Sequence, residues 1–173
     1  MRFNTKTYIP IFITFLFLPH FALAQANQDV LLQEVRANMQ HAFKDEAACT
    51  KLYERVKNAN DPEPVLLGYI GAVYIARSRF IPLLDKRESL KIGEEKLEAS
   101  IKQAVNNVEL IFLRLTIQLN LPSFLGYNEN IEDDKKFLIN NYRKATPALK
   151  SKIIKFVKES DDFTDSEKAK FTE

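Results

Sequence analysis

Along nearly the whole chain apolar residues recur every third or fourth position, and they nowhere alternate with polar ones over the length of a strand. Leu31, Val35, Met39 and Phe43 are spaced by four, and Leu90, Gly93, Leu97, Ile101 and Val105 follow the same rule. Residues at that spacing line one face of a helix, and the face must be buried against another element. A sheet would need alternation and many tight turns, yet the chain has only four glycines in 173 residues. An all-α fold follows.

The pattern predicts helices over about residues 28–43, 45–58, 63–80, 88–105, 108–119, 131–144 and 146–160, with a short last segment at 165–171 that frays. Pro62 and Pro64 break the chain after the second, Asn106 and Asn107 stop the fourth, and Pro122 and Gly126 separate the fifth from the sixth. Such short connections make neighbouring helices antiparallel. The expected architecture is a set of antiparallel helical hairpins, arranged either as a solenoid or as a compact bundle of about seven helices.

The first 24 residues read differently. Arg2 and Lys6 precede an apolar run from Tyr8 to Phe21 that ends at Ala22-Leu23-Ala24, the pattern of a secretory signal cleaved after Ala24. The run is interrupted by Pro10 and Pro19 and falls short of the roughly 20 residues a membrane span needs. The division expected is a signal at 1–24 and a single helical domain at 25–173, its ordered core at about 28–160, exported to the periplasm or cell envelope without an integral membrane span. Of 25 basic side chains the signal holds two, and it holds none of the 23 acids, so the remaining domain is balanced in charge. A balanced, exported domain makes nucleic acid a poor partner.

The third helix, "VLLGYIGAVYIARSRF", is the most apolar. Gly68, Ala72 and Ala76 form a small-residue stripe that allows a neighbouring backbone to come close, and the charge-free stretch from Val65 to Ala76 is too short to cross a bilayer. A buried core helix is expected.

Metal and nucleophilic centres lack their raw material. Cys49 is the single cysteine, and after the signal only His41 remains, so no zinc set can be assembled and no cofactor is indicated. His41 has no nucleophile motif near it and reads as a helix-surface residue. The acid pairs Glu94-Glu95 and Asp133-Asp134 fall in first helical turns, where carboxylates complement the helix dipole, rather than facing each other as a catalytic pair. The run from Lys135 to Lys158 carries eight basic residues and no acid, the normal outer face of amphipathic helices.

Two features carry functional expectations. In "VELIFLRLTIQL", Arg114 and Gln118 lie one turn apart within an apolar helix. A buried guanidinium needs a carboxylate, and Glu132, Asp133, Asp134 and Glu109 are the candidates. Either Arg114 clamps helix to helix, or Arg114, Gln118 and Tyr127 line a pocket for a polar or anionic ligand. In "NLPSFLGYNENIEDDKK" a loop that should be polar carries Leu121, Phe124, Leu125 and Tyr127. Phe124, Leu125 and Tyr127 either fold back as a plug over the ends of helices five and six, or Phe124 and Tyr127 project as a recognition element.

The segment "IGEEKLEASIKQAVNNVELIFLRLTIQLNLP" resembles the second helix of one tetratricopeptide unit followed by the first helix of the next. "NIEDDKKFLINN" follows as a further second helix about 38 residues on, against 34 in a regular repeat. The resemblance spans residues 45–145 and implies a concave binding face. The string "NNVELIFLRLTIQLNLPSFLGYNENIEDDKKF" is similar to an uncharacterised family of short, exported, all-helical proteins of Bacteroidota with an "NVE…FLR…Q.NLP.FLGY" motif. That likeness implies fold and compartment and carries over no catalytic residue. The sequence thus leads to a non-enzymatic, exported helical protein that binds a protein or peptide of the envelope. The alternative is a small-ligand carrier, or an enzyme, with a polar pocket around Arg114.

Overall fold

A computed structural model describes residues 18–172. The basic residues and most of the apolar run of the expected signal lie outside them. The described residues form eight α-helices and no strand: α1 (Leu18–Ala42), α2 (Glu46–Val56), α3 (Pro64–Arg77), α4 (Leu83–Gln103), α5 (Val108–Asn120), α6 (Ile131–Asn141), α7 (Pro147–Glu159) and α8 (Asp165–Lys168). Single 3-10 turns follow α5 and α6 at Ser123–Leu125 and Tyr142–Lys144. None of these helices is long and apolar enough to cross a membrane.

Local chemistry sets the helix starts. The Asp45 carboxylate accepts from the Ala48 amide at 2.7 Å and caps α2. Asn107 accepts from the amides of Glu109 and Leu110 at 3.0 and 3.1 Å and caps α5. The "NN" pair does not stop the fourth helix as expected: α4 ends at Gln103 with Ala104 as its C-cap, and Asn106, at φ 63°, lies in the turn that leads to α5. Pro64 and Pro147 occupy first turns, where the missing amide hydrogen costs nothing. α4 begins five residues before its predicted start. Pro82 acts as its N-cap, and the segment expected to be a connection is its first turn.

Contacts run between successive helices and also join α1 to α3 and α3 to α5, so α3 touches four neighbours and is apolar on almost every face. Its tightest partner is α4. The small residues at that crossing are Gly71 and Gly93, one helical step from the predicted stripe. A Cβ on Gly71 would lie 2.5 Å from the Gly93 carbonyl oxygen, and one on Gly93 would lie 2.6 Å from that of Gly71. Gly68, within the stripe, instead makes room for Leu110 and Ser100.

Two apolar cores result. The first is built from α1 to α4 with Leu113 and Ile117 of α5, and the second from α6, α7 and the C-terminal segment with Val108, Ile111 and Leu115 of α5. α5 is the shared wall, buried on most of its circumference and only partly exposed along the stripe of Glu109, Phe112, Thr116 and Leu119. The C-terminal segment is docked on the second core: Phe163 and Phe171 are buried, the Tyr142 hydroxyl lies within hydrogen-bond distance of the Lys170 and Thr172 carbonyls at 3.2 and 3.1 Å, and it accepts from the Thr172 amide at 3.0 Å. Apolar side chains held by such bonds extend the ordered core past residue 160. Thr164 and Glu167 close a reciprocal capping box that sets the segment's direction.

Candidate functional site

Because α5 is walled in on both sides, its two polar residues meet other helices. Arg114 is 7% exposed, and its guanidinium makes a two-pronged contact with Asp134 of α6, Nε to Oδ2 at 2.8 Å and Nη2 to Oδ1 at 2.6 Å. Its remaining Nη1 donates to Glu98 Oε2 of α4 at 2.7 Å. The other oxygen of Glu98 accepts from the Tyr127 hydroxyl at 2.7 Å. One cation thus ties α4, α5, α6 and the α5–α6 loop together. The planar fork of arginine suits this, since it offers two parallel bonds to one carboxylate and a third donor to another.

Asp134 was among the partners expected from sequence, and Glu98 was not. Glu109 serves elsewhere: it takes a two-pronged contact from Arg36 of α1 at 2.6 Å on both prongs, and a bond from the Tyr69 hydroxyl at 2.9 Å. Both sites follow one design, a carboxylate shared by an arginine and a tyrosine. Burial, reinforced by the bond to Glu98, pushes the Tyr127 phenol far above its ordinary range, so it remains a hydrogen-bond donor at every accessible pH. Burial also raises the Asp134 carboxyl, against the opposing pull of Arg114.

Gln118 is 2% exposed, and neither its amide nitrogen nor its oxygen has a partner among the described residues. It sits one turn beyond Arg114. On α4, one turn before Glu98, Glu94 Oε1 is likewise buried and without a partner among the described residues. Burial and the neighbouring charges of Glu98 and Glu95 raise the Glu94 carboxyl above its usual range. Two surface depressions lie away from this seam, one beside Phe156 and Ser160, the other beside Gln28 and Pro62. Arg114 and Gln118 therefore stand in the helix interface, with all three arginine prongs spent on carboxylates.

The loop after α5 divides into two parts. Leu121 and Tyr127 turn inward onto the first core, as a plug should. Phe124 and Leu125 do not: Phe124 is 84% exposed and Leu125 is exposed as well. The reason is the turn between them. Leu125 N donates to Pro122 O at 3.0 Å and Gly126 N to Ser123 O at 3.1 Å, winding a 3-10 turn that bulges outward, and Gly126 at φ 78° reverses the chain so that Tyr127 can return. The plug expectation thus fails for Phe124 and Leu125. Phe124 and Tyr127, expected to act together, are split between an outer and an inner role.

No protein-family model, no curated protein and no solved structure matches this chain.

Proposed function

We propose that this is an exported, non-enzymatic helical protein of the cell envelope that binds a protein or peptide partner, with the loop around Phe124 as its contact point. The observation that supports this reading is a large aromatic ring held outside the fold by a loop that is fastened at both ends. Leu121 packs on the first core, Tyr127 is bonded to Glu98, and Glu98 is held by the Arg114 clamp. Ordering such a loop before binding lowers the entropy lost on association, and an exposed aromatic on it is the usual form of an interface anchor. The tetratricopeptide resemblance points the same way, toward a helical scaffold that presents a surface.

A photo-crosslinking residue placed at position 124 of the full chain, expressed in a host that exports it, tests the proposal. A discrete crosslinked species is expected from position 124 and none from an exposed control such as Lys152 on α7. No crosslink, or the same one from both positions, contradicts it. Mass spectrometry of the exported protein checks the compartment: a chain beginning at Gln25 is expected, and an intact chain retained in the inner membrane argues against export.

A further inference from the structure

The charge around the Phe124 loop is one-sided. From residue 115 to residue 134 the chain contains no lysine, arginine or histidine, and it contains four acids. Asp134 is consumed by Arg114, but Glu129, Glu132 and Asp133 are exposed immediately after the aromatic turn. Glu132 shares Lys135 at 3.6 Å, and Lys135 is drawn more closely to Glu167 at 3.1 Å, its head lying over the Phe163 ring. Glu129 and Asp133 make no ion pair among the described residues. Lys136 follows one helical step beyond, at the edge of the patch. Along the chain, exposed Phe124 and Leu125, on a turn fixed by its own backbone bonds, are thus followed within ten residues by the exposed carboxylates of Glu129, Glu132 and Asp133.

From this juxtaposition we propose that the loop docks a basic, apolar partner segment: a peptide or protein surface with an aliphatic or aromatic pocket for Phe124, flanked by lysine or arginine side chains that meet Glu129 and Asp133. The proposal rests on the binding function above and specifies its partner. Carboxylate rims speed encounter with a cationic surface and exclude anionic ones, while the buried ring supplies the lasting contact. An acidic partner would set like charge against the rim. A second copy of this chain is the competing occupant, because the exposed lysines of α7, Lys152, Lys155 and Lys158, are also basic.

A random-peptide display selection on the whole protein tests this, followed by binding measurements on the enriched peptides with three variants: Phe124→Ala, Glu129→Lys and Asp133→Lys. All three residues are exposed, and circular dichroism checks that the variants remain helical. The expected peptides carry lysine or arginine around an apolar residue. Their affinity should fall tenfold or more in Phe124→Ala, several-fold in each charge reversal, and with rising salt. Peptides that depend on Phe124 but are neutral or acidic, and indifferent to the reversals, overturn the partner chemistry while leaving the binding loop in place. Peptides that bind Phe124→Ala as well as wild type, or an empty selection, overturn both. Concentration-dependent dimerisation abolished by Phe124→Ala assigns the loop to a second copy and overturns the proposal.

Discussion

Arg114 is tolerable in an apolar helix because each of its prongs meets a carboxylate. Removing it would leave Asp134 buried without its cation, so Arg114→Ala should lower stability by about 3 to 5 kcal/mol. Arg114→Lys should recover only part, since an ammonium cannot bridge two carboxylates in the same plane. Denaturant melts read both, and a wild-type midpoint in Arg114→Ala would contradict the clamp. Glu94 lies on the other side of the same account. Its folded pKa is raised by burial and by Glu98 and Glu95, so the native state takes up its proton more readily than the unfolded chain. That contribution is fully present below the unfolded carboxylate range and is lost as pH rises through the raised value. Glu94→Gln removes the titrating carboxyl and should flatten the pH dependence of stability in the acid range; melts at several pH values check this. Cys49, by contrast, is buried with its thiol pushed up to about 11, which keeps it inert at neutral pH.

Helices are set by signals that act over a few residues, and here those signals were legible. The expected starts at 45, 108 and 146 lie within a residue of the observed ones, where Asp45, Asn107 and Thr146 act as N-caps, although Asn107 was expected only to stop the fourth helix. What was not legible is rotation about the helix axis. Gly68 is as small as Gly71, and only the path of α4 decides that Gly71 meets Gly93. Gly71→Ala should therefore cost about 1 to 3 kcal/mol by forcing the helices apart, because its new Cβ faces backbone atoms that cannot swing aside. An alanine at position 126 meets open space instead, and its cost comes from the left-handed φ of 78° alone, about 1 to 2 kcal/mol. Thermal melts that rank the two the other way would contradict the crossing. Glu98 escaped the sequence reading for the same reason. It lies on α4 among Glu94 and Glu95, and nothing local says which of the three faces α5.

At the scale of the molecule the all-α class was legible from periodicity, but the closing of the second core was not. Phe163 and Phe171 lie in a polar tail; the two rings pack on each other, and Tyr142 meets Phe171 and bonds the Lys170 carbonyl 28 residues away in sequence. Phe171→Ala should accordingly destabilise by about 3 kcal/mol, where a frayed tail would show no change in a denaturant melt. The central claim joins these scales: a buried clamp inside the helix stack holds an exposed ring ready for a partner. Backbone order parameters for residues 122–128, measured by NMR relaxation in the wild type and in Tyr127→Phe and Glu98→Ala, test it most directly. The wild-type loop should be as rigid as the helices, with values near about 0.85, and Glu98→Ala should fall below about 0.6 while the helices keep their order. Tyr127→Phe, which loses one bond and keeps the packing, should lie between. A wild-type loop already below that lower value, or one unmoved when Glu98 is removed, would contradict the account.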